Sequence, residues 1–194
     1  MFDAASMDAL KAAVKARKLV IVAGAGISCP AGIPGWQELL TKRMPVPLQK
    51  RGTEGQQTAD SMVHLAPQFP LQAADIWWEH LFKQEGVQPI QEFFTDTFLH
   101  TDYKPTKTHK RITDLCKLAG PGIITTNFDR LFEKAEPDFL PKLCRNVDLG
   151  LLLSTHSTST SKFILKLHGT ADQIDSVVFT STQYGQQSTR EAYQ

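Results

Sequence analysis

The stretch Leu19-Val20-Ile21-Val22-Ala23-Gly24-Ala25-Gly26-Ile27-Ser28 decides the fold. Its first half is a short, unbroken apolar run rich in β-branched residues and closed by glycine. That pattern predicts a strand buried on both faces of a parallel sheet. Gly24 to Ser28 then turns the chain, and after Pro34-Gly35 the segment Trp36 to Lys42 has helical composition, with Leu39 and Leu40 on one side. Strand, glycine turn and helix open a βαβ unit, which predicts an α/β fold with a parallel sheet. Upstream, Met7, Leu10 and Val14 fall at i, i+3 and i+7 after Ser6, with Lys15, Arg17 and Lys18 at the end where the helix dipole favours cations. A helix over 6–17 is expected.

Downstream, residues of about 45–105 show no strand-like alternation. They carry apolar clusters at helical spacing, Ile76-Trp77-Trp78, Leu81-Phe82 and Ile90, Phe93-Phe94, Phe98. A helical insertion is expected there, with these aromatics as its packing face and Gly52 to Gln57 as a mobile loop. Regular α/β order resumes with a helix near Thr108 to Leu118, a strand Ile123 to Thr126 and a helix from about Phe128 to Ala135. A strand near Leu143 to Val147, a solvated polar loop over Ser154 to Lys162, a strand Phe163 to Leu167 and a last strand Val177 to Thr180 follow.

Composition narrows the function classes. The 194 residues are 41% hydrophobic and 21% charged, with 12 Gly and 11 Pro, which excludes collagen-like and disordered chains and predicts one domain over 1–194. The formal net charge of +1 lacks the positive excess that binds a phosphate backbone, so no nucleic-acid partner is expected. The longest apolar run, Leu19 to Ile27, is less than half of the ~20 residues needed to span a bilayer. Met1 to Ser6 has no signal-peptide character, and a cytoplasmic protein with no membrane partner is expected. Cys29, Cys116 and Cys144 form no C-x-x-C pair, so neither a disulfide framework nor a zinc ribbon is expected.

In an open parallel sheet, ligands bind beyond the carboxyl ends of the strands. Three strands here deliver glycine or polar groups to that edge: Gly24 to Ser28, Thr126 to Asp129, and His168-Gly169. Glycines at 24 and 26 allow backbone N–H groups to approach a pyrophosphate, with the helix N-terminus beyond favouring its charge. The dinucleotide fingerprint of hydride-transfer enzymes fails, because Cys29 takes the third small-residue position and no acidic residue follows at the usual distance.

Taken together, Gly24-Ala25-Gly26-Ile27-Ser28, Gly32-Ile33-Pro34, Thr125-Thr126-Asn127-Phe128-Asp129 and Lys166-Leu167-His168-Gly169 closely resemble the sirtuin superfamily. That superfamily's hallmarks are a GAGIS and GIP turn, a T-Q-N-I-D element and an H-G pair, in this order. The wording around them, Gly35-Trp36-Gln37-Glu38-Leu39-Leu40 and Asp129-Arg130-Leu131-Phe132, is similar to the SIR2-like branch of bacterial anti-phage defence proteins. Departures from the protein deacetylases are specific: no cysteine follows Cys144, Gly35, Trp36 and Gln37 stand where Asp-Phe-Arg is usual, and Thr126 replaces the glutamine.

The resemblance implies a Rossmann-like sheet and an enzyme that takes NAD as substrate, without zinc or any other metal, and breaks its nicotinamide–ribose bond. The products would be nicotinamide and ADP-ribose or a cyclic form. It implies that Gly24, Ala25, Gly26 and Ser28 hold the phosphates, that Phe128 and Asp129 seat nicotinamide, that Trp36 covers the ribosyl centre, and that Thr126 belongs to the same NAD site. Asn127 would orient the ribose hydroxyls or water, and His168 would take a proton. A non-catalytic NAD or ADP-ribose sensor and a zinc-free deacylase are the alternatives. Asn127 and Asp129 also have plain readings, as helix cap and as dipole complement. His64, His80, His100, His109 and His156 read as surface or packing residues. SIR2-like domains generally continue beyond the position of Tyr184, so a truncated C-terminal part is expected, completed by an attached or partner module or a homo-oligomer.

Overall fold

The computed structural model describes residues 3–143 and 162–188. Helix α1, Ala4–Lys15, begins at Asp3, whose carboxylate accepts from the Ser6 N–H at 2.7 Å. Strand β1, Ile21–Ala23, leads into two 3-10 turns, Ala25–Ile27 and Cys29–Ala31. Helix α2, Trp36–Glu38, runs into a π-helical turn, Leu39–Arg43. Four helices follow without an intervening strand: α3 Pro45–Gln49, α4 Gly52–Leu65, α5 Pro70–Glu85 and α6 Gln88–Phe98. Then come α7 Lys107–Ala119, β2 Gly122–Thr125, α8 Leu131–Ala135, β3 Leu140–Leu143, β4 Phe163–Lys166 and α9 Ser181–Ser188.

The four strands among the described residues are all parallel, in the order β1-β2-β4-β3. The expected α/β, Rossmann-like fold with flanking helices and a helical insertion is therefore observed. Its core has two parts. On one face of the sheet, Ala23, Ile123 and Ile164 pack with Cys116 of α7 and Phe132 of α8. The larger part fills the insertion, where Trp77, Phe94 and Leu81 are wholly buried and pack with Phe128 and Phe179. Trp77, Trp78, Phe93, Phe94 and Phe98 thus form a packing face, as their spacing predicts, whereas Phe82, expected there too, is 55% exposed. Phe94 is its hub, with ring centroids 5.3 Å from both Phe128 and Phe179. The Trp77 indole N–H donates to the Met44 carbonyl at 2.7 Å, which satisfies its one polar atom inside the core.

Several local expectations are corrected. Gly52 to Gln57 is no loop but the first turns of α4. Gly55 lets α3 and α4 touch, since a Cβ there would lie 2.2 Å from the Leu48 carbonyl oxygen. Strand β1 is not buried on both faces: Val22 is 71% exposed, while its neighbour Ala23 is buried. Residues 128–130 are not helical, and α8 starts only at Leu131.

Val177 to Thr180 is not a strand. Its N–H groups are taken elsewhere: Val178 donates to the His168 carbonyl at 3.0 Å, and Phe179 and Thr180 donate to Gln183 Oε1 at 2.8 and 2.9 Å. Thr180-x-x-Gln183 is the capping box of α9, a signal present in the sequence. Cys144, His156, the part of the expected strand over 144–147 and most of the polar loop 154–162 lie outside the described residues.

Candidate functional site

The ladder register sets the site. Ala23 pairs with Thr125, and Thr125 with Lys166, so β1, β2 and β4 end level with one another. The residues that follow each strand consequently emerge at one edge. The Thr125 hydroxyl locks two of these exits together, donating to the Ala23 carbonyl at 2.9 Å while accepting from the Asn127 N–H at 3.1 Å. Beyond β4, Gly169 adopts φ +79°, and a Cβ there would meet the Ser176 carbonyl oxygen at 2.1 Å. Only glycine follows His168 without strain.

Between these exits and the insertion lies a cavity of about 220 Å³. Eight of the ten residues singled out from the sequence line it: Ala25, Ser28, Trp36, Thr126, Asn127, Phe128, Asp129 and His168. Gly24 and Gly26 do not. They sit exposed at its margin, in backbone conformations that any residue adopts. A Cβ on Gly26 would meet nothing within 4 Å, and one on Gly24 only Thr126 Oγ1 at 3.8 Å. The protein's own packing thus demands neither glycine. The chain after them forms short 3-10 turns, so the long helix N-terminus expected to favour a phosphate is absent at this turn.

Five further residues line the cavity that were not among the ten: Ile33 and Pro34 of the glycine-isoleucine-proline turn, Leu39, Phe98 and Tyr184. Phe98 arrives from the end of α6, and its helical spacing marks it as a packing residue rather than a site residue. Tyr184 is placed by α9, whose first turn is held to α5: the Ser181 N–H and hydroxyl donate to the two Asp75 carboxylate oxygens at 2.7 and 2.6 Å.

The polar groups form two sets. In the first, Asn127, 5% exposed, donates from Nδ2 to Ser28 Oγ at 3.0 Å. Ser28 Oγ lies 3.3 Å from Nε2 of His109, a wholly buried ring on α7. Asn127 Oδ1 is buried without a hydrogen-bond partner among the described residues. Leaving such an acceptor bare costs about 1–3 kcal/mol, so the position is not chosen for stability. Asn127 is also not the helix cap: α8 is preceded by Arg130, which makes no side-chain cap bond, and it is Asp129 whose Oδ1 accepts from the Leu131 N–H at 2.9 Å. In the second set, Tyr184 Oη lies 3.3 Å from His168 Nδ1, with the rings edge to face at 5.0 Å. Burial holds the His168 pKa below the ordinary 6.5 and raises that of Tyr184. At neutral pH His168 is thus a neutral imidazole able to accept a proton.

Beneath the site, the Lys166 ammonium, 2% exposed, donates to the Asp129 carbonyl and lies 3.4 Å from Glu133 Oε1. Among the described residues no three His, Cys, Asp or Glu side chains cluster as metal ligands, and no helix is long and apolar enough to cross a membrane. His64 and His100 are exposed and His80 is partly buried.

Comparison with known proteins agrees with the motifs. The model of the SIR2-like domain matches residues 121–194. A protein named NAD(+) hydrolase ThsA, from Acinetobacter baumannii (strain 532279), is 28% identical over 178 residues, covering 92% of this chain. The chain spans about a third of that relative's length, 33%.

Proposed function

From the premise that this is a SIR2-like chain, we propose that it hydrolyses NAD at the nicotinamide–ribose bond. The observation that carries the reading is the bare, buried Asn127 Oδ1, on a residue that lines the same cavity as His168. An unpartnered acceptor on a cavity-lining side chain fits a ligand hydroxyl or a water. The relative's printed activity, hydrolysis of NAD, agrees with it. About 220 Å³ falls below the ~300–1,000 Å³ of a pocket for a whole ligand, which fits one end of a dinucleotide with the remainder running outward over Gly24 and Gly26.

In the proposed reaction the C–N bond to nicotinamide breaks, its electron pair leaves with nicotinamide, and the ribosyl carbon gains oxocarbenium character. Water adds to that carbon and loses a proton, giving nicotinamide, ADP-ribose and a proton. Asn127 Oδ1 holds the attacking water or a ribose hydroxyl, and His168 accepts the proton. Phe128, Asp129 and Trp36 surround the nicotinamide and ribosyl end, while Ala25, Ser28 and Thr126 line the way to the phosphates. Depletion of NAD by such a reaction is the chemistry an anti-phage effector would use.

The test is release of nicotinamide from NAD without any acylated peptide. Wild-type chain should release it, while Asn127→Ala and His168→Ala should each lose about 100- to 10,000-fold. Release that needs an acyl peptide would instead identify a deacylase. NAD binding without release by any preparation would identify a sensor.

A further inference from the structure

We infer that His109 is a positioning residue of this site: its ring makes the Ser28 hydroxyl an obligate donor at the cavity wall and leaves Asn127 Oδ1 beside it as the unpartnered acceptor. The inference rests on the hydrolase reading for its functional consequence, and on hydrogen-bond inventory for its geometry. A backbone N–H only donates, and the Thr106 N–H lies 3.2 Å from His109 Nδ1, so Nδ1 presents a lone pair. The Thr106 hydroxyl, 2.8 Å from the same nitrogen, also accepts from the His109 N–H at 3.4 Å and completes the capping box that starts α7. A neutral ring with Nδ1 as acceptor carries its proton on Nε2, and Nε2 faces Ser28 Oγ at 3.3 Å.

Ser28 Oγ therefore accepts twice, from His109 Nε2 and from Asn127 Nδ2, which engages both lone pairs. Its remaining capacity is its own proton, and Ser28 lines the cavity. Asn127, with its nitrogen engaged, keeps Oδ1 bare. A donor and an acceptor side by side match a group that both accepts and donates, a sugar hydroxyl or a water. With the other tautomer, Ser28 would give its proton to His109 and offer the cavity no donor.

Burial lowers the His109 pKa, outweighing the opposing fields of Asp129 and Glu133, so the ring stays neutral at neutral pH. Phe132 of α8 packs on it edge to face at 4.9 Å. The relay from Thr106 through His109 and Ser28 to Asn127 joins α7, the glycine turn and the β2 exit, segments that no sequence motif links.

Nitrogen-15 NMR of the full chain labelled at histidine tests the relay directly. A neutral His109 ring protonated on Nε2 is expected at neutral pH, whereas an Nδ1-protonated ring or an imidazolium overturns the inference. Nicotinamide release by His109→Leu and His109→Gln tests its consequence. Leucine should lower kcat about ten- to a hundred-fold with KM for NAD little changed, and glutamine, which returns an N–H donor, should recover most of it. Full activity of the leucine variant, or equal losses in two folded variants, overturns the positioning role. Should neither variant fold, the tautomer in the unaltered chain decides. A wild-type chain that releases no nicotinamide removes the hydrolase reading alone, and the ring's tautomer still decides the relay.

Discussion

Tyr184 and His168 show how much a single contact contributes at the residue scale. The Tyr184 hydroxyl touches His168 Nδ1 at 3.3 Å, leaving Nε2 as the ring's other exchangeable position. Tyr184→Phe keeps the edge-to-face packing and removes one hydrogen bond of about 1 kcal/mol, so nicotinamide release should fall by about five-fold. A loss as deep as that of His168→Ala would instead make the hydroxyl a direct participant in the chemistry. Asn127, Asp129, His168 and Ser28 were legible as site residues because each belongs to a motif. His109 was not: it read as a surface or packing residue, and its role rests on a contact with a residue 81 positions away.

Between elements, close approach and buried charge decide the energetics. Gly55→Ala would gain up to about 1 kcal/mol in helix propensity, yet its Cβ would collide with the backbone carbonyl of Leu48. Overpacking against a backbone costs about 1–3 kcal/mol, so the substitution should lower the denaturant midpoint, and an unchanged or raised midpoint would contradict the packing described. Lys166 ties β4 to the Asp129 carbonyl and to Glu133 of α8. Lys166→Ala removes both contacts and leaves the partly buried Glu133 carboxylate without this partner, and should destabilise by about 1–3 kcal/mol, read from the same unfolding curves. The loss of Val177 to Thr180 as a strand belongs to this scale as well. Its apolar residues serve the insertion's core, with Phe179 5.1 Å from the Trp36 ring, while its N–H groups are taken by Gln183 and His168.

Across the described residues, the buried His109 and the partly buried His168 make stability depend on pH. Both His109 and His168 have pKa values lowered by burial, so the unfolded chain binds more protons than the folded one as pH falls below the ordinary value of about 6.5. Their neutral forms therefore support the fold above that pH, and this support is lost as pH falls toward their folded-state values. The melting temperature should drop between about pH 7 and pH 5, and the drop should be shallower in His109→Gln. An equally steep drop in that variant would assign the acid sensitivity to other groups.

By itself the sequence determined the α/β class, the parallel sheet, the helical insertion and the three strand exits that carry the site. Those features follow from local periodicity and from motif residues whose chemistry is legible wherever they occur. Tertiary structure alone decided which faces are covered, which backbone groups remain for strand pairing, and which way a buried amide points. It exposes Val22 and turns an apparent strand into a helix-capping segment. It also joins Thr106, His109, Ser28 and Asn127 into one relay. Burial and hydrogen-bond satisfaction are properties of neighbours in space, and a donor inside a core has its partner fixed only once distant segments have packed.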